Sequence, residues 1–211
     1  MSTPILVVAA VRQEVATFLK TLNGNGKIQV LLTGISGSKA SAAVRRRLKE
    51  TPFRLVISAG FAGATQPGFR LGDLILASEV LDVRLNRIWI PPVQLKSDGR
   101  FSGGRLATVE RPLAAPEEKQ RFGALHGAVA VDMETAAVAA AASEAGVPWM
   151  ALRAVLDPVE IPLAIRSWQG GVGEILRPWR WGGFLDFLKG IRLAADSLSN
   201  GLEFLTQENE R

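Results

Sequence analysis

The chain has 211 residues, a length that suits one domain with a sizeable core. Its 47% apolar content excludes disorder of the whole chain, and the lack of cysteine excludes a disulfide scaffold, a thiol nucleophile and thiolate metal sites. A net charge of +5, from 25 basic and 20 acidic residues, is too mild to identify an anionic partner.

The densest basic run, Arg45-Arg46-Arg47, falls on a predicted helix beside Ala43, Val44 and Leu48. Such a run reads as a solvated face, so nucleic acid is not an expected partner. The one histidine, His126, reads as a loop or helix-end residue and leaves little for a Ser-His-Asp triad or a histidine metal site. The start, MSTPILVVAAVRQEV, lacks a basic region and an Ala-x-Ala exit, so no signal peptide is expected. No window holds eighteen uncharged apolar residues, so a membrane span is not expected and a cytoplasmic protein is.

Ile5 to Ala10 is an unbroken apolar run, which suits a strand buried on both faces. Val15, Phe18, Leu19 and Leu22 follow at helical spacing. Asn23 to Gly26 is a turn, Ile28 to Leu32 a strand, and Thr33 to Ser38 the loop after it. A helix places Ala40, Ala43, Val44 and Leu48 inward. Leu55 to Ala59 is a third strand, with Gly60-Phe61-Ala62-Gly63 read as its closing turn. Strand, helix, strand, helix, strand predicts an α/β sheet with parallel neighbours.

Leu74 to Val80 is a further strand, Arg87 to Ile90 a short one, and Ser102-Gly103-Gly104 reads as a turn. Pro116 to Leu125 is a short helix whose proline suits the first turn. Val129 to Val131 is a strand, Thr135 to Ala145 an alanine-rich helix ended by Gly146 and Pro148, and Trp149 to Leu156 the last strand. Beyond Asp157 come Pro158, Pro162 and Pro178, many glycines, and Trp168, Trp179 and Trp181. A closing helix shows Phe184, Leu188, Ile191, Ala195, Leu198, Leu202 and Leu205 at spacings of three and four. No repeat or linker divides the chain, so residues 1–211 are expected to form a single domain.

Ala130 to Asp157, AVDMETAAVAAAASEAGVPWMALRAVLD, carries the chemistry. It opens with Asp132 and Glu134 at the mouth of a small-residue helix and ends with Asp157 at the end of a strand. Ligands bind at the carboxyl edge of open α/β sheets. Taken alone, Asp157 also reads as a helix cap or loop residue, Glu134 as a favourable first-turn residue, and Glu14 as an exposed helix residue. Asp132 is given the first-turn role and no chemistry. The glycine turns after strands offer backbone N–H groups to an anion or a ribose edge. They match neither the Gly-x-x-x-x-Gly-Lys-Ser/Thr nor the Gly-x-Gly-x-x-Gly pattern, which argues against ATP hydrolysis and dinucleotide binding.

DMETAAVA followed by VPWMALRAVLD resembles the purine nucleosidase and phosphorylase superfamily. ILVVAAVRQEV, LLTGISGSKASAA and LVISAGFAGATQPGFRLGDLILASEV fit the same family in the same order, so the resemblance covers most of residues 4–160. Its nearest branch is the 5'-methylthioadenosine/S-adenosylhomocysteine nucleosidases. The resemblance implies a three-layer α-β-α fold with a mixed central sheet and a homodimer. It implies cleavage of the N-glycosidic bond of a 5'-substituted adenosine, with no metal and no organic cofactor. By resemblance, Asp157 protonates the purine, Glu134 and Met133 hold the ribose, Glu14 readies water, and Gly60 and Phe61 contact substrate. General acid catalysis of this kind is worth roughly 10² to 10⁴ in rate.

Two departures bear on the substrate. Phe61 and Leu156 stand where the methylthioadenosine branch carries serines. The residue that stacks on the base is sought in Arg111 to Ala115. Phe61, Thr108 to Pro112 and the tryptophan-rich, basic tail also resemble the hopanoid-associated nucleoside phosphorylases, which use phosphate on a lipid-linked adenosine. In that reading Arg177, Trp179, Arg180 and Trp181 meet a membrane surface, since tryptophan and arginine favour that boundary; ordinary packing under the last helix is the alternative. A non-catalytic purine-binding protein is the third reading. No arginine lies in Thr33 to Gly37 or Gly60 to Gly63, which favours water over phosphate.

Overall fold

The computed structural model describes residues 3–22, 26–94, 99–160 and 181–209, the last stretch with its side chains from residue 188 onward. Strand β1 (Ile5–Ala9) is buried along its whole length, as its apolar run requires. Helix α1 (Arg12–Thr21), strand β2 (Ile28–Leu32), helix α2 (Gly37–Glu50) and strand β3 (Leu55–Ala64) follow. β1 pairs in parallel with both β2 and β3, as the alternation of elements predicts.

The second half supplies β4 (Leu74–Asp82), β5 (Arg87–Trp89), β6 (Ser102–Thr108), α3 (Pro116–His126), β7 (Ala128–Asp132), α4 (Thr135–Glu144), β8 (Trp149–Asp157) and α5 (Trp181–Glu208). β8 lies parallel to β3 and antiparallel to β4. β6 is parallel to β4 and to β7, and β7 meets the end of β3 antiparallel. The sheet is therefore mixed, and β3, β7, β6, β4 and β8 pair in a closed ring.

Two glycine segments read as turns are strand. Gly60 to Gly63 continue β3, with Gly60 opposite Arg153 and Phe61 opposite Ala154 on β8. Ser102 to Gly104 open β6 and pair with Ile75 to Ala77 on β4. In both places ladder pairing outweighs the weak strand preference of glycine.

Period-two alternation in β1 sends Ile5, Val7 and Ala9 to one face and Leu6 and Val8 to the other. The first face is covered by Val15 and Phe18 of α1 and by Ala194, Leu198, Leu202 and Leu205 of α5. The second is covered by Ala40 and Val44 of α2 and by Ala136, Val138 and Ala139 of α4. This is the three-layer α-β-α arrangement. A smaller cluster, with Leu81, Ala107, Leu113, Ala128 and Val131, lies under Phe122 of α3.

The closing stripe packs from Ala194 onward, whereas Leu188 and Leu193 are exposed. The arginine run is a solvated face: Arg45 pairs with Glu144, Arg46 with Glu50, and Arg47 with Gln29 and Glu50. The calls on Trp168, Trp179, Arg177 and Arg180 lie outside the described residues. Among the described residues, no helix is long and apolar enough to cross a membrane.

Candidate active site

A cleft of about 360 Å³ opens where β1, β3, β7 and β8 end and α5 passes over them. Its polar wall carries Glu14, Asp132, Glu134 and Asp157, and its apolar wall includes Phe61, Val109, Leu113, Met133, Leu156 and Ile191. The volume lies within the range that small-ligand pockets occupy.

Glu14 is the third residue of α1, and its carboxylate turns back on the helix start. Oε2 accepts hydrogen bonds from the backbone N–H of Ala10 (2.9 Å) and Val11 (3.0 Å). This is the reciprocal half of a capping box, in which a third-position glutamate satisfies the helix entrance. Oε1 accepts from Phe61 N–H at 3.1 Å, so α1 is tied to β3. Burial pushes the carboxyl up, against the downward pull of these N–H groups and of Arg153.

Gly60 stands behind this carboxylate and does not line the cleft. A Cβ at Gly60 would lie 2.6 Å from Glu14 Oε1. The strand is bare there because the acid occupies the space a side chain would fill. The neighbouring Phe61 does line the cleft.

Glu134 follows β7 at the entrance to α4. Its Oε1 accepts from the Ser36 N–H at 3.0 Å. Ser36 holds φ 143, a conformation that L-residues rarely adopt, and it aims that N–H at the carboxylate. In the loop between β2 and α2, this backbone donor serves a protein carboxylate. Burial pushes the Glu134 carboxyl up to about 7, with the negative charges of Asp132 and Glu14 adding to the rise and Arg153 opposing it. Met133 lines the cleft beside it.

Asp132 ends β7 and so precedes the first turn of α4 in which it was expected, but its Oδ2 still accepts from the N–H of the first helical residue, Thr135, at 2.9 Å. It also holds a buried ion pair. Arg153 of β8 reaches Oδ2 through Nη2 (2.7 Å) and Nε (3.1 Å), and Thr108 donates to Oδ1 at 2.7 Å. Arg153 further donates to Ser58 Oγ at 2.9 Å and to the Leu152 carbonyl at 3.0 Å. Two buried charges are tolerable because each is hydrogen-bonded.

Asp157 closes β8 and lines the cleft. Its Oδ1 accepts from Lys119 Nζ at 2.7 Å. Burial pushes its carboxyl up, and the Lys119 ammonium pulls against that rise. A Cβ at Gly63 would lie 3.2 Å from Asp157 Oδ2, so this glycine too leaves room for an acid.

The fold thus brings Glu14, Phe61, Met133, Glu134 and Asp157 to one cleft and leaves Gly60 behind it. The expected base-stacking segment contributes Pro112 and Leu113, which are apolar but not aromatic. Lys119 and Arg153 were not read from the sequence. Arg153 carried a signal, as the lone charge inside the apolar run Trp149 to Leu156. Among the described residues, no group of three or more histidine, cysteine or acidic side chains is placed to hold a metal ion.

A family model of the phosphorylase superfamily matches residues 8–94 and 93–167. The chain belongs to the phosphorylase superfamily, a superfamily of enzymes. Solved structures of similar fold include a mutant methylthioadenosine/S-adenosylhomocysteine nucleosidase of Helicobacter pylori with 5'-methylthioadenosine in its active site. It is 17% identical at a TM-score of 0.73, over 99% of this chain and 100% of that one. The futalosine hydrolase of the same organism is 17% identical at a TM-score of 0.72, over 98% of each chain. The Neisseria meningitidis nucleosidase in complex with methylthio-immucillin-A is 19% identical at 0.71, over 98% of this chain and 100% of that one. No curated protein sequence matches significantly. At these identities the likeness establishes this superfamily member's fold.

Proposed function

We propose that this single-domain superfamily member is an N-ribosyl hydrolase that releases adenine from a 5'-substituted adenosine. One observation carries the reading: Glu14, Glu134 and Asp157, from three separate elements, line the same cleft. The solved nucleosidases of this fold supply the substrate class.

In the reaction the bond from ribose C1' to purine N9 breaks and its electron pair leaves with the base. Asp157 donates its proton to N7, so the base departs neutral. Its burial favours the protonated form that a donor needs. Glu134 accepts hydrogen bonds from the ribose hydroxyls, which strengthen as the sugar gains positive charge. Met133 packs against the sugar. A water molecule attacks C1', and Glu14 orients it and takes its proton.

Water is favoured over phosphate by charge. The cleft is lined by four carboxylates and, among the described residues, by no lysine or arginine. A phosphate dianion would meet no cationic side chain in that lining, since Arg153 and Lys119 lie behind it and are already paired with Asp132 and Asp157. Leu156, Ile191 and Phe61 make the wall apolar, which suits an uncharged 5' group such as methylthio. A homodimer in the cytoplasm completes the proposal.

The test is adenine release from methylthioadenosine, S-adenosylhomocysteine and futalosine, with and without phosphate, by the wild type and by Asp157→Asn. Phosphate-independent release that falls about 10² to 10⁴-fold in a folded Asp157→Asn supports the reading. Full activity in that variant refutes the proton donor. Strict dependence on phosphate would assign the chain to lipid-linked adenosine phosphorolysis, with the tail at a membrane surface. Adenine binding with no turnover of any nucleoside would leave a binding protein.

A further inference from the structure

We propose that Lys119 is a positioning residue for the proton donor: held in the protein interior by Asp157 Oδ1 and the Pro158 carbonyl, its ammonium offsets the negative charge that Asp157 acquires when it protonates the leaving purine. The inference rests on the reading of Asp157 as that donor.

A lysine with no solvent exposure is unusual, because removing an ammonium from water is costly unless it is paired and hydrogen-bonded. Lys119 meets that condition through Asp157 Oδ1 at 2.7 Å and the Pro158 carbonyl at 3.1 Å. Its route inward is built into α3. Gly123, one turn later, packs directly on the end of β3, where a Cβ would lie 2.7 Å from the Thr65 carbonyl oxygen. That close approach brings the helix near enough for the Lys119 stem to reach the end of β8. The start of α3 is fastened too, since Glu118 accepts from Ala114 N–H at 3.1 Å and from Arg111 at 2.8 Å.

The pairing divides the two oxygens of Asp157. Oδ1 is held by the ammonium. Oδ2, beside Gly63, is the oxygen that carries the transferable proton. When that proton passes to N7, the carboxyl group becomes a carboxylate next to a charge already in place. No reorganisation is needed at the moment of transfer, and this is how preorganised charge lowers a barrier. Asp132, Glu134 and Glu14, the other charged groups lining the cleft, are all acidic, and the α5 side contributes Ile191. Burial disfavours the charge left on Asp157, and Lys119 opposes that penalty.

A tether that merely fastens α3 to β8 would show the same contacts, so the experiment separates charge from attachment. The pH dependence of kcat and KM for adenine release is measured for the wild type, Lys119→Met, Lys119→Gln and Lys119→Arg, with Asp157→Asn alongside. Gln keeps a donor for Oδ1 and loses the charge; Arg keeps the charge. Met and Gln are both expected to lower kcat about 10²-fold with little change in KM. Both are also expected to move the alkaline limb of kcat upward by about one to three pH units, because the Asp157 carboxylate loses its counter-charge. Arg should restore the limb to its wild-type position.

An alkaline limb unmoved in Lys119→Gln, with kcat near wild type, overturns the inference even if Lys119→Met does not fold. Activity retained in Asp157→Asn would instead remove the donor itself. An inactive Asp157→Asn beside a fully active Lys119→Gln leaves the hydrolase reading standing and the role of Lys119 refuted.

Discussion

Glu134→Gln should stabilise the protein while disabling it. The Glu134 carboxyl is raised from its ordinary 4.5 to about 7, chiefly by burial. Below pH 4.5 the group is protonated in both folded and unfolded chains and costs nothing. Between pH 4.5 and 7 the unfolded chain ionises first, so stability falls as pH rises. Above pH 7 the loss is complete, and at about 1.4 kcal/mol per pH unit it comes to about 3.5 kcal/mol. Partial solvent access trims this to about 2 kcal/mol.

Glutamine keeps the Oε1 that accepts from Ser36 and removes the charge. The variant should therefore match the wild type near pH 4.5 and exceed it by about 2 kcal/mol at pH 8, roughly 4 to 8 °C in Tm for a chain of this size. Adenine release should fall about 10²-fold, since the neutral amide is a weaker acceptor for hydroxyls beside a developing positive charge. Thermal unfolding of both proteins at pH 4.5 and pH 8 checks the argument. A stability difference that is the same at both values would refute it, because the gain would not come from the titration of Glu134.

Gly60→Ala places a methyl where Glu14 Oε1 now sits, at 2.6 Å. Activity should drop at least 10-fold while adenine binding is largely kept, as displacing a base by under an ångström is costly to the chemical step; unchanged kcat would show that the carboxylate need not sit there. Arg153→Met strands Asp132 as an unpaired buried carboxylate. It should lose about 3 to 5 kcal/mol of stability in urea unfolding. Arg153→Met combined with Asp132→Asn should recover much of that loss, and failure to recover would mean that the pair is not coupled.

Much of the fold was legible because the strands are unusually apolar. Ile5 to Ala9, Leu55 to Ala59 and Trp149 to Leu156 have no polar face, and only a central, doubly covered strand uses such a sequence. The acids were legible by resemblance: taken alone, Glu14, Glu134 and Asp157 also fit helix-end or loop roles, and the family pattern is what gathers them. The glycines misled for a physical reason. Gly60 and Gly63 look like a turn in one dimension, but they are small because carboxylates from α1 and β8 lean on them. Such an approach is set by tertiary packing and leaves no local trace. Lys119 was hidden in the same way. Amid Glu117, Glu118, Gln120 and Arg121 it reads as one more solvated charge, and the close approach of Gly123 to Thr65 and the bonds to Asp157 and Pro158 that place it inside are tertiary.

The cleft draws on two parts of the molecule. Its acids are mounted on strand ends and on the entrances of α1 and α4, whereas Ile191 reaches it from a helix whose far half is anchored in the core. Exchanging Ile191 for a smaller or larger residue therefore alters the room offered to a guest without disturbing the catalytic hardware. A descendant of this chain could change its diet through that helix and keep its teeth.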